Sequence, residues 1–207
     1  MTASPPAAIR LRKSFEGDGK PKGYKKTARF LDEATGETLY RCDVFGHVAR
    51  RRTEFVDGAG RPAFAMTPNR IVMPTVWRLT DADGRPAGAL VQKIFARGFW
   101  AGLDPGGGER FRAVDPQKLS DKIAMQVLGG AVTRYALVAG DTPIGSVREE
   151  RREAVAEGGV TGFLKGLVTP IDPLLRLEPA AAAVDLRLFC AFMLLLYEIT
   201  VPLDRAT

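Results

Sequence analysis

The feature that most constrains the fold is a run near the C-terminus, residues 188–197, that is apolar on every side of a helix. Its only polar side-chain group is one tyrosine hydroxyl. A helix that is hydrophobic all round lies either in a membrane or in the centre of a protein core. A membrane span needs about 20 consecutive apolar residues, and this run ends at about half that length with charged residues on both sides. We therefore predict a buried helix over residues 185–201, with Asp185 at its start and Pro202 beyond its end.

A strand–turn–strand pattern recurs in the preceding part of the chain. Residues 57–62 and 81–86 both read Asp-x-x-Gly-Arg-Pro, and looser copies lie within residues 30–40 and 136–145. In each turn the aspartate can accept hydrogen bonds from the backbone, and the glycine can adopt a positive φ. Hairpins at such intervals are typical of a β-sandwich or a closed barrel.

Other segments predict further strands, a turn and a second helix. Apolar or alternating segments predict strands at residues 70–73, 76–79, 89–95 and 99–103, and residues 105–110 predict a turn. A partial apolar face predicts a short helix over residues 117–128. The charged residues 148–159 predict an excursion from the core. Aromatic side chains on these strands, among them Trp77 and Trp100, are expected to pack in the core rather than to form a stacking platform.

The positive charge of the chain is concentrated at its N-terminus. The formal net charge is +6, and residues 1–30 alone carry eight Lys or Arg against two acidic residues. We therefore divide the chain into a basic N-terminal arm, residues 1–24, and one domain, residues 25–207, which is long enough to bury a substantial core. Such an arm is either a solvated extension or a segment that is drawn to anionic lipid or nucleic acid.

The residue types that catalysis and metal binding require are sparse. His47 is the one histidine, so neither a multi-histidine metal site nor a histidine relay can form. Cys42 and Cys190 do not form a C-x-x-C pair, and Cys190 is expected in the core. The glycine-rich segments lack the spacing of a phosphate-binding loop, and the turn at residues 81–84 lacks the later ligands of a calcium loop. We predict no catalytic residue, no metal and no cofactor.

A basic patch is the best candidate for a binding surface. It consists of Lys25, Lys26, Arg50, Arg51 and Arg52, and it is called the basic patch below. On one face of a barrel these residues can meet lipid phosphates or nucleic acid, whereas the alternative is a solvent-facing strand end. The first residues lack the apolar core of a secretory signal, so we expect a cytoplasmic protein that binds peripherally at the membrane.

Short hairpins followed by one fully apolar C-terminal helix resemble the tubby C-terminal-like superfamily, and within it the LURP-one-related proteins and the phospholipid scramblases. The residues that carry the resemblance are the hairpins at 55–62 and 79–86 and the terminal segment 185–196. The resemblance covers residues 25–202 and implies an antiparallel barrel that encloses a hydrophobic helix. It also implies binding of membrane phosphoinositides or another lipid-related role. The acidic calcium-binding segment and the palmitoylated cysteine cluster of scramblases have no counterpart here, so scrambling is not expected.

Three functional hypotheses remain open. The first is a non-enzymatic tubby-like domain that binds an anionic phospholipid headgroup or a protein partner through the basic patch. The second is an enzyme or small-ligand pocket at one mouth of the barrel, against which stand the single histidine and the filled lumen. The third is nucleic-acid binding by the basic arm. We adopt the first, on a mainly β fold in which a closed antiparallel barrel, without a transmembrane segment, surrounds a buried C-terminal helix.

Overall fold

Twelve antiparallel strands close into one barrel in the computed structural model, which describes residues 6–16, 25–44, 51–69, 75–93, 99–114, 134–151 and 171–200. The strands are β1 (Ala8–Glu16), β2 (Lys25–Asp32), β3 (Thr38–Val44), β4 (Thr53–Asp57), β5 (Pro62–Pro68), β6 (Thr75–Asp81), β7 (Pro86–Lys93), β8 (Phe99–Leu103), β9 (Glu109–Val114), β10 (Arg134–Ala139), β11 (Thr142–Arg151) and β12 (Ile171–Leu177). A short 3₁₀ helix, Pro179–Ala183, then leads into the α-helix α1 (Leu186–Thr200).

Each strand pairs with the next one along the chain, and β1 pairs with β12 to complete the ring. A closed ring leaves no unpaired strand edge, which removes the usual route to aggregation of sheets. The prediction of a closed antiparallel barrel around a C-terminal helix is therefore confirmed.

The predicted start of the domain at residue 25 is wrong for residues 8–16. These residues form β1, which pairs with β2 along its length and with β12 at Ile9 opposite Leu175. Ile9 and Leu11 face the interior and are fully buried. The sequence did not indicate this strand, because its apolar residues Ile9 and Leu11 alternate with the cations Arg10 and Arg12 on the outer face.

The helix α1 fills the lumen of the barrel. Each residue from Leu188 to Leu196 is at most 3% exposed. Its aromatic side chains meet those of the wall: the ring centroid of Phe192 lies 5.7 Å from that of Trp100 and 6.0 Å from that of Tyr135. Residues 188–196 of the helix are thus buried on every side, as their composition predicts, and the tryptophans Trp77 and Trp100 belong to the core.

The start of α1 is capped as predicted. The backbone N–H of Arg187 donates to Oδ1 of Asp185 at 2.9 Å, and the N–H of Leu188 donates to the Asp185 carbonyl at 3.0 Å. An aspartate in this position satisfies N–H groups that have no partner within the helix. Pro202 lies outside the described residues.

The Asp-x-x-Gly-Arg-Pro turns connect β4 to β5 and β6 to β7 with the same geometry. Oδ1 of Asp81 accepts the N–H groups of Asp83 and Arg85 at 3.0 and 2.8 Å. Gly84 has a φ of +80°, which glycine adopts without steric cost. The turn expected at residues 105–110 has the same organisation, because Oδ1 of Asp104 accepts the N–H of Gly108 at 2.8 Å.

The remaining sequence predictions have mixed outcomes. The strands expected at residues 76–79 and 99–103 are confirmed, and the strand expected at 89–95 is confirmed as far as Lys93. The turn expected at 105–110 ends two residues early, because Glu109 begins β9. Residues 148–151 extend β11 instead of leaving the barrel. The segments 70–73 and 117–128 and residues 152–159 lie outside the described residues.

The two ends of the barrel differ. At one end, which we call the turn end, lie the five short hairpin turns at residues 33–37, 58–61, 82–85, 104–108 and 140–141. The helix α1 also starts there, because it follows the last strand at that end. The other connections between strands start and finish at the opposite end. They include the two longest in the chain, residues 115–133 and 152–170.

Candidate anion-binding surface

The topology brings Lys25, Lys26, Arg51 and Arg52 of the basic patch to the opposite end of the barrel. Lys25 and Lys26 are the first two residues of β2, and Lys26 pairs with Val44, the last residue of β3. The chain returns to the same end just before β4, where Arg51 and Arg52 are exposed. Two adjacent connections therefore share this basic end. Arg50 and His47 lie outside the described residues.

Among the described residues, Arg52 of the basic patch forms an ion pair with Glu54. Its Nε lies 3.1 Å from Oε1 of Glu54, and both side chains are mostly exposed. A pair of this kind contributes at most about 1 kcal/mol, because water screens both charges. Among the described residues no carboxylate forms an ion pair with Arg51. Arg51 and Arg52 are therefore available to meet an anion.

A second group of cations lies on the outer wall of β1, β2 and β3. In the register of these strands Arg12 is directly opposite Arg29, and Arg29 is directly opposite Arg41. All three side chains are exposed. Because neighbouring strands are about 4.8 Å apart, three arginines stand side by side on one face. We call Arg12, Arg29 and Arg41 the arginine row.

The acidic groups around the arginine row are mostly engaged elsewhere. The guanidinium of Arg10 binds both carboxylate oxygens of Glu33, at 2.6 and 2.7 Å, and this hydrogen bonding lowers the pKa of Glu33. Oδ1 of Asp43 accepts the hydroxyl of Thr27 at 2.9 Å. Within the row, Nε of Arg12 lies 4.0 Å from the buried carboxylate of Asp172. The row therefore keeps most of its positive charge.

The sequence alone does not show that the three members of the arginine row are neighbours in the fold. Arg10 and Arg12 alternate with inward-facing residues of β1, which is the one local signal that they point outward. That Arg29 and Arg41 stand beside Arg12 depends on the register of three strands. Each register in turn depends on its hairpin and on any bulge, such as the shift between Phe30 and Leu31.

A cavity of about 280 Å³ lies at the turn end, beside the start of α1. Asp104, Arg110, Asp185 and Arg187 contribute its charged groups. These groups neutralise one another: Nη2 of Arg110 lies 2.8 Å from Asp104, and Nε of Arg187 donates to both oxygens of Asp185 at 3.0 and 2.9 Å. The backbone N–H of Gly108 lowers the pKa of Asp104, and the bond to Asp185 raises the pKa of Arg187. This arrangement holds a turn and a helix start in place rather than poising an acid or a base.

The polar groups that the structure describes in the interior do not assemble a reactive site. Cys42 and Cys190 are both buried and are not joined in a disulfide, and burial raises the pKa of Cys190 well above its ordinary value. A thiol in that environment stays protonated and is a poor nucleophile. Nε1 of Trp77 is buried and has no hydrogen-bond partner among the residues that the structure describes. The described ranges contain no group of three or more His, Cys, Asp or Glu side chains that could hold a metal ion.

No helix within the described ranges is both long enough and apolar enough to cross a membrane. Comparison with family models, with curated proteins and with solved structures finds no match to this chain.

Proposed function

We propose that this chain is a non-enzymatic binding domain of the tubby-like type, and that it recognises anionic phospholipid headgroups through Lys25, Lys26, Arg50, Arg51 and Arg52. The main support is the meeting of the first residues of β2 and the residues before β4 at one end of the barrel. The family assignment is supported by the architecture, because a closed barrel around an apolar C-terminal helix is what the resemblance implies.

Binding at an outer basic surface suits a barrel of this construction. The helix α1 occupies the lumen, so a ligand meets the barrel from outside. Each Lys or Arg close to an anionic membrane contributes about 1 kcal/mol to binding. Among the described residues, Val114 is the one large apolar side chain with high exposure, at 41%. Attraction by charge rather than insertion of apolar groups therefore drives the proposed binding, and salt should weaken it.

Liposome co-sedimentation tests this function. Vesicles of phosphatidylcholine alone serve as the neutral reference, and vesicles that also contain phosphatidylserine, cardiolipin or phosphoinositide supply anionic headgroups. We expect the full chain to sediment with at least one anionic composition at low salt and not with the neutral one. Absence of binding to every composition would refute the proposal and direct the search to a protein partner.

A charge-matched pair of variants locates the binding. The first variant carries Lys25→Gln, Lys26→Gln, Arg51→Gln and Arg52→Gln, and the control replaces Arg61, Arg78, Arg85 and Arg110 by Gln. Both variants lose four positive charges, but the control residues lie at the turn end or on the wall of β6. We expect the first variant to lose membrane binding and the control to keep it. Deletion of residues 1–24 is unsuitable as a test, because it removes β1 and opens the barrel.

A further inference from the structure

The arginine row is an unfavourable arrangement in the isolated protein. Like charges directly opposite each other on neighbouring strands destabilise a sheet. Here two such pairs are consecutive, Arg12 with Arg29 and Arg29 with Arg41. Within the described ranges no carboxylate forms an ion pair with Arg29 or Arg41. Arg29, in the middle, therefore has an arginine on both sides and no ion-pair partner among the described residues.

The position of the Arg41 side chain agrees with this repulsion. A Cβ atom at Gly60 would lie 3.3 Å from Nη2 of Arg41. The guanidinium of Arg41 thus extends along the wall toward the turn between β4 and β5. Since long exposed side chains of this kind reorient readily, an anion that approaches the row can gather the guanidinium groups around itself.

We propose that the arginine row binds a ligand that carries two neighbouring phosphate groups. An arginine guanidinium donates two parallel hydrogen bonds to phosphate oxygens, and these charge-assisted bonds are about twice as strong as neutral ones. Three arginines in a line form two gaps, and each gap accepts one phosphate between two guanidinium groups. The two gaps are one strand spacing apart, about 4.8 Å, which favours phosphates that are joined covalently over two independent ions.

The same chemistry is offered by a soluble oligophosphate and by a membrane headgroup with two phosphates. The side chains of Arg12, Arg29 and Arg41 are exposed on the outer wall, so a small ligand in solution can reach them as well as a headgroup. The row is separate from the basic patch, which lies at the end of the barrel, and this inference does not depend on the proposed function.

Isothermal titration of the full chain with inorganic tripolyphosphate, at low salt, tests the inference. Orthophosphate is the matched reference ligand, since it has the same chemistry but only one phosphate. We expect measurable binding of tripolyphosphate and at least about tenfold weaker binding of orthophosphate, because the loss of one charge-assisted contact costs about a factor of ten or more. Equal affinity for the two ligands, or no binding of either, would overturn the proposal.

Two variants separate a site from general attraction to a basic protein. The variant Arg29→Gln with Arg41→Gln removes two members of the row, and Arg78→Gln with Arg85→Gln removes two exposed arginines elsewhere at equal net charge. Arg78 is a close match to Arg29, because it is exposed on the outer face but stands between Thr67 and Ala89 rather than between arginines. We expect the row variant to lose at least about tenfold in affinity for tripolyphosphate and the control less than about twofold. Similar losses in both variants would show unspecific attraction.

Thermal unfolding without ligand gives a second readout. Neutralising Arg29 removes like-charge repulsion, so the row variant should unfold at the same or a higher temperature than the unsubstituted chain. A fall in this temperature would mean that the arginines support the fold, which contradicts the arrangement proposed here.

The basic-patch variant and the vesicle assay distinguish the two proposals. The variant with Lys25, Lys26, Arg51 and Arg52 replaced should bind tripolyphosphate with less than about a twofold loss if the row acts alone. The row variant, tested with cardiolipin vesicles, shows whether headgroup phosphates also use the row. Loss of tripolyphosphate binding in the patch variant alone would assign the phosphate site to the basic patch and overturn the assignment to the row.

Discussion

Replacement of Gly102 by alanine should destabilise the barrel by forcing an aromatic ring against the central helix. Gly102 lies in β8 directly opposite Phe111 of β9. A Cβ atom at this position would lie 2.1, 2.5 and 2.8 Å from three ring carbons of Phe111. The ring cannot yield easily, because it is fully buried and its centroid lies 5.2 Å from that of Phe189 and 5.8 Å from that of Phe192 on α1. The ring of Phe111 therefore occupies the space that only a glycine leaves.

The expected loss follows from two opposing effects. Extra volume in a well-packed core costs about 1–3 kcal/mol. Alanine in place of a strand glycine raises the free energy of unfolding by about 0.5–1 kcal/mol, because it reduces the conformational freedom of the unfolded chain. Because the helix blocks the ring on its far side, the steric cost should lie in the upper part of its range. We expect a net loss of about 2 kcal/mol in the free energy of unfolding, which corresponds to a fall of about 4–8 °C in Tm for a chain of this size.

Urea denaturation of a double-mutant cycle provides the assay. The four proteins are the unsubstituted chain, Gly102→Ala, Phe111→Leu and the double variant. Leucine lacks the ring atoms that would meet the new Cβ, so Gly102→Ala should cost less than about 0.5 kcal/mol in that background. The cycle should thus give a coupling energy of about 1–2 kcal/mol. Equal costs of Gly102→Ala in the two backgrounds, or a gain of stability in the unsubstituted chain, would refute the steric argument.

Three further predictions concern the turns and the helix. Asp81→Ala should lower the free energy of unfolding by about 1–2 kcal/mol, because two backbone N–H groups lose their acceptor. The control Asp83→Ala removes an exposed carboxylate that lies 3.6 Å from Arg85 and should cost less than about 0.5 kcal/mol. Urea denaturation measures both. Backbone N–H groups lower the pKa of Asp57 and of Asp104. The stability that these two carboxylates contribute is therefore present above the aspartate pKa of the unfolded chain and is lost as the pH falls through the lower folded-state pKa. Asp57→Asn with Asp104→Asn should weaken the dependence of the free energy of unfolding on pH in this acidic range, as pH-dependent unfolding would show. Because Cys190 is buried and its pKa is raised, a thiol reagent should modify it only at the rate of unfolding. Reaction kinetics at increasing urea concentration check this. Fast modification under native conditions would contradict the burial of α1.

The parts of the fold that depend on local chemistry were predictable from the sequence. A helix that is apolar on every side but too short to span a membrane is expected in the centre of a protein core, and Asp185 marks its start. The Asp-x-x-Gly-Arg-Pro turns are likewise determined by residues within six positions of one another. A turn was expected after Asp104, but its likeness to the other aspartate turns was not, because its sequence, Asp-Pro-Gly-Gly-Gly, keeps the aspartate acceptor and a glycine of positive φ but not the Arg-Pro ending.

The features that depend on contacts between distant segments were not predictable. Whether β1 belongs to the barrel is decided by its pairing with β12, more than 150 residues away along the chain, and its own composition resembles that of a basic arm. The arginine row has the same origin, since a shift of one residue in either register would separate Arg29 from Arg12 or Arg41 and turn side chains to the other face. The basic patch was visible as clusters along the chain, but the row was not, because its members come from three strands.

The distribution of paired and unpaired charges indicates where an anion would approach this barrel. At the turn end the carboxylates lie beside cations of the same turn: Asp57 lies 2.8 Å from Arg61, and Asp104 lies 2.8 Å from Arg110. Such pairs produce little field at a distance, because opposite charges a few ångströms apart cancel beyond about one Debye length, roughly 8 Å in physiological salt. On the wall of β1 to β3 the cations stand beside one another instead, and their potentials add. An anion bound there cancels repulsion that the free protein already carries, so the register that costs stability also raises the affinity. A neutral residue at position 29 should therefore raise the free energy of unfolding and lower the affinity for the anion. If Arg29 only kept the surface soluble, its replacement would change neither quantity.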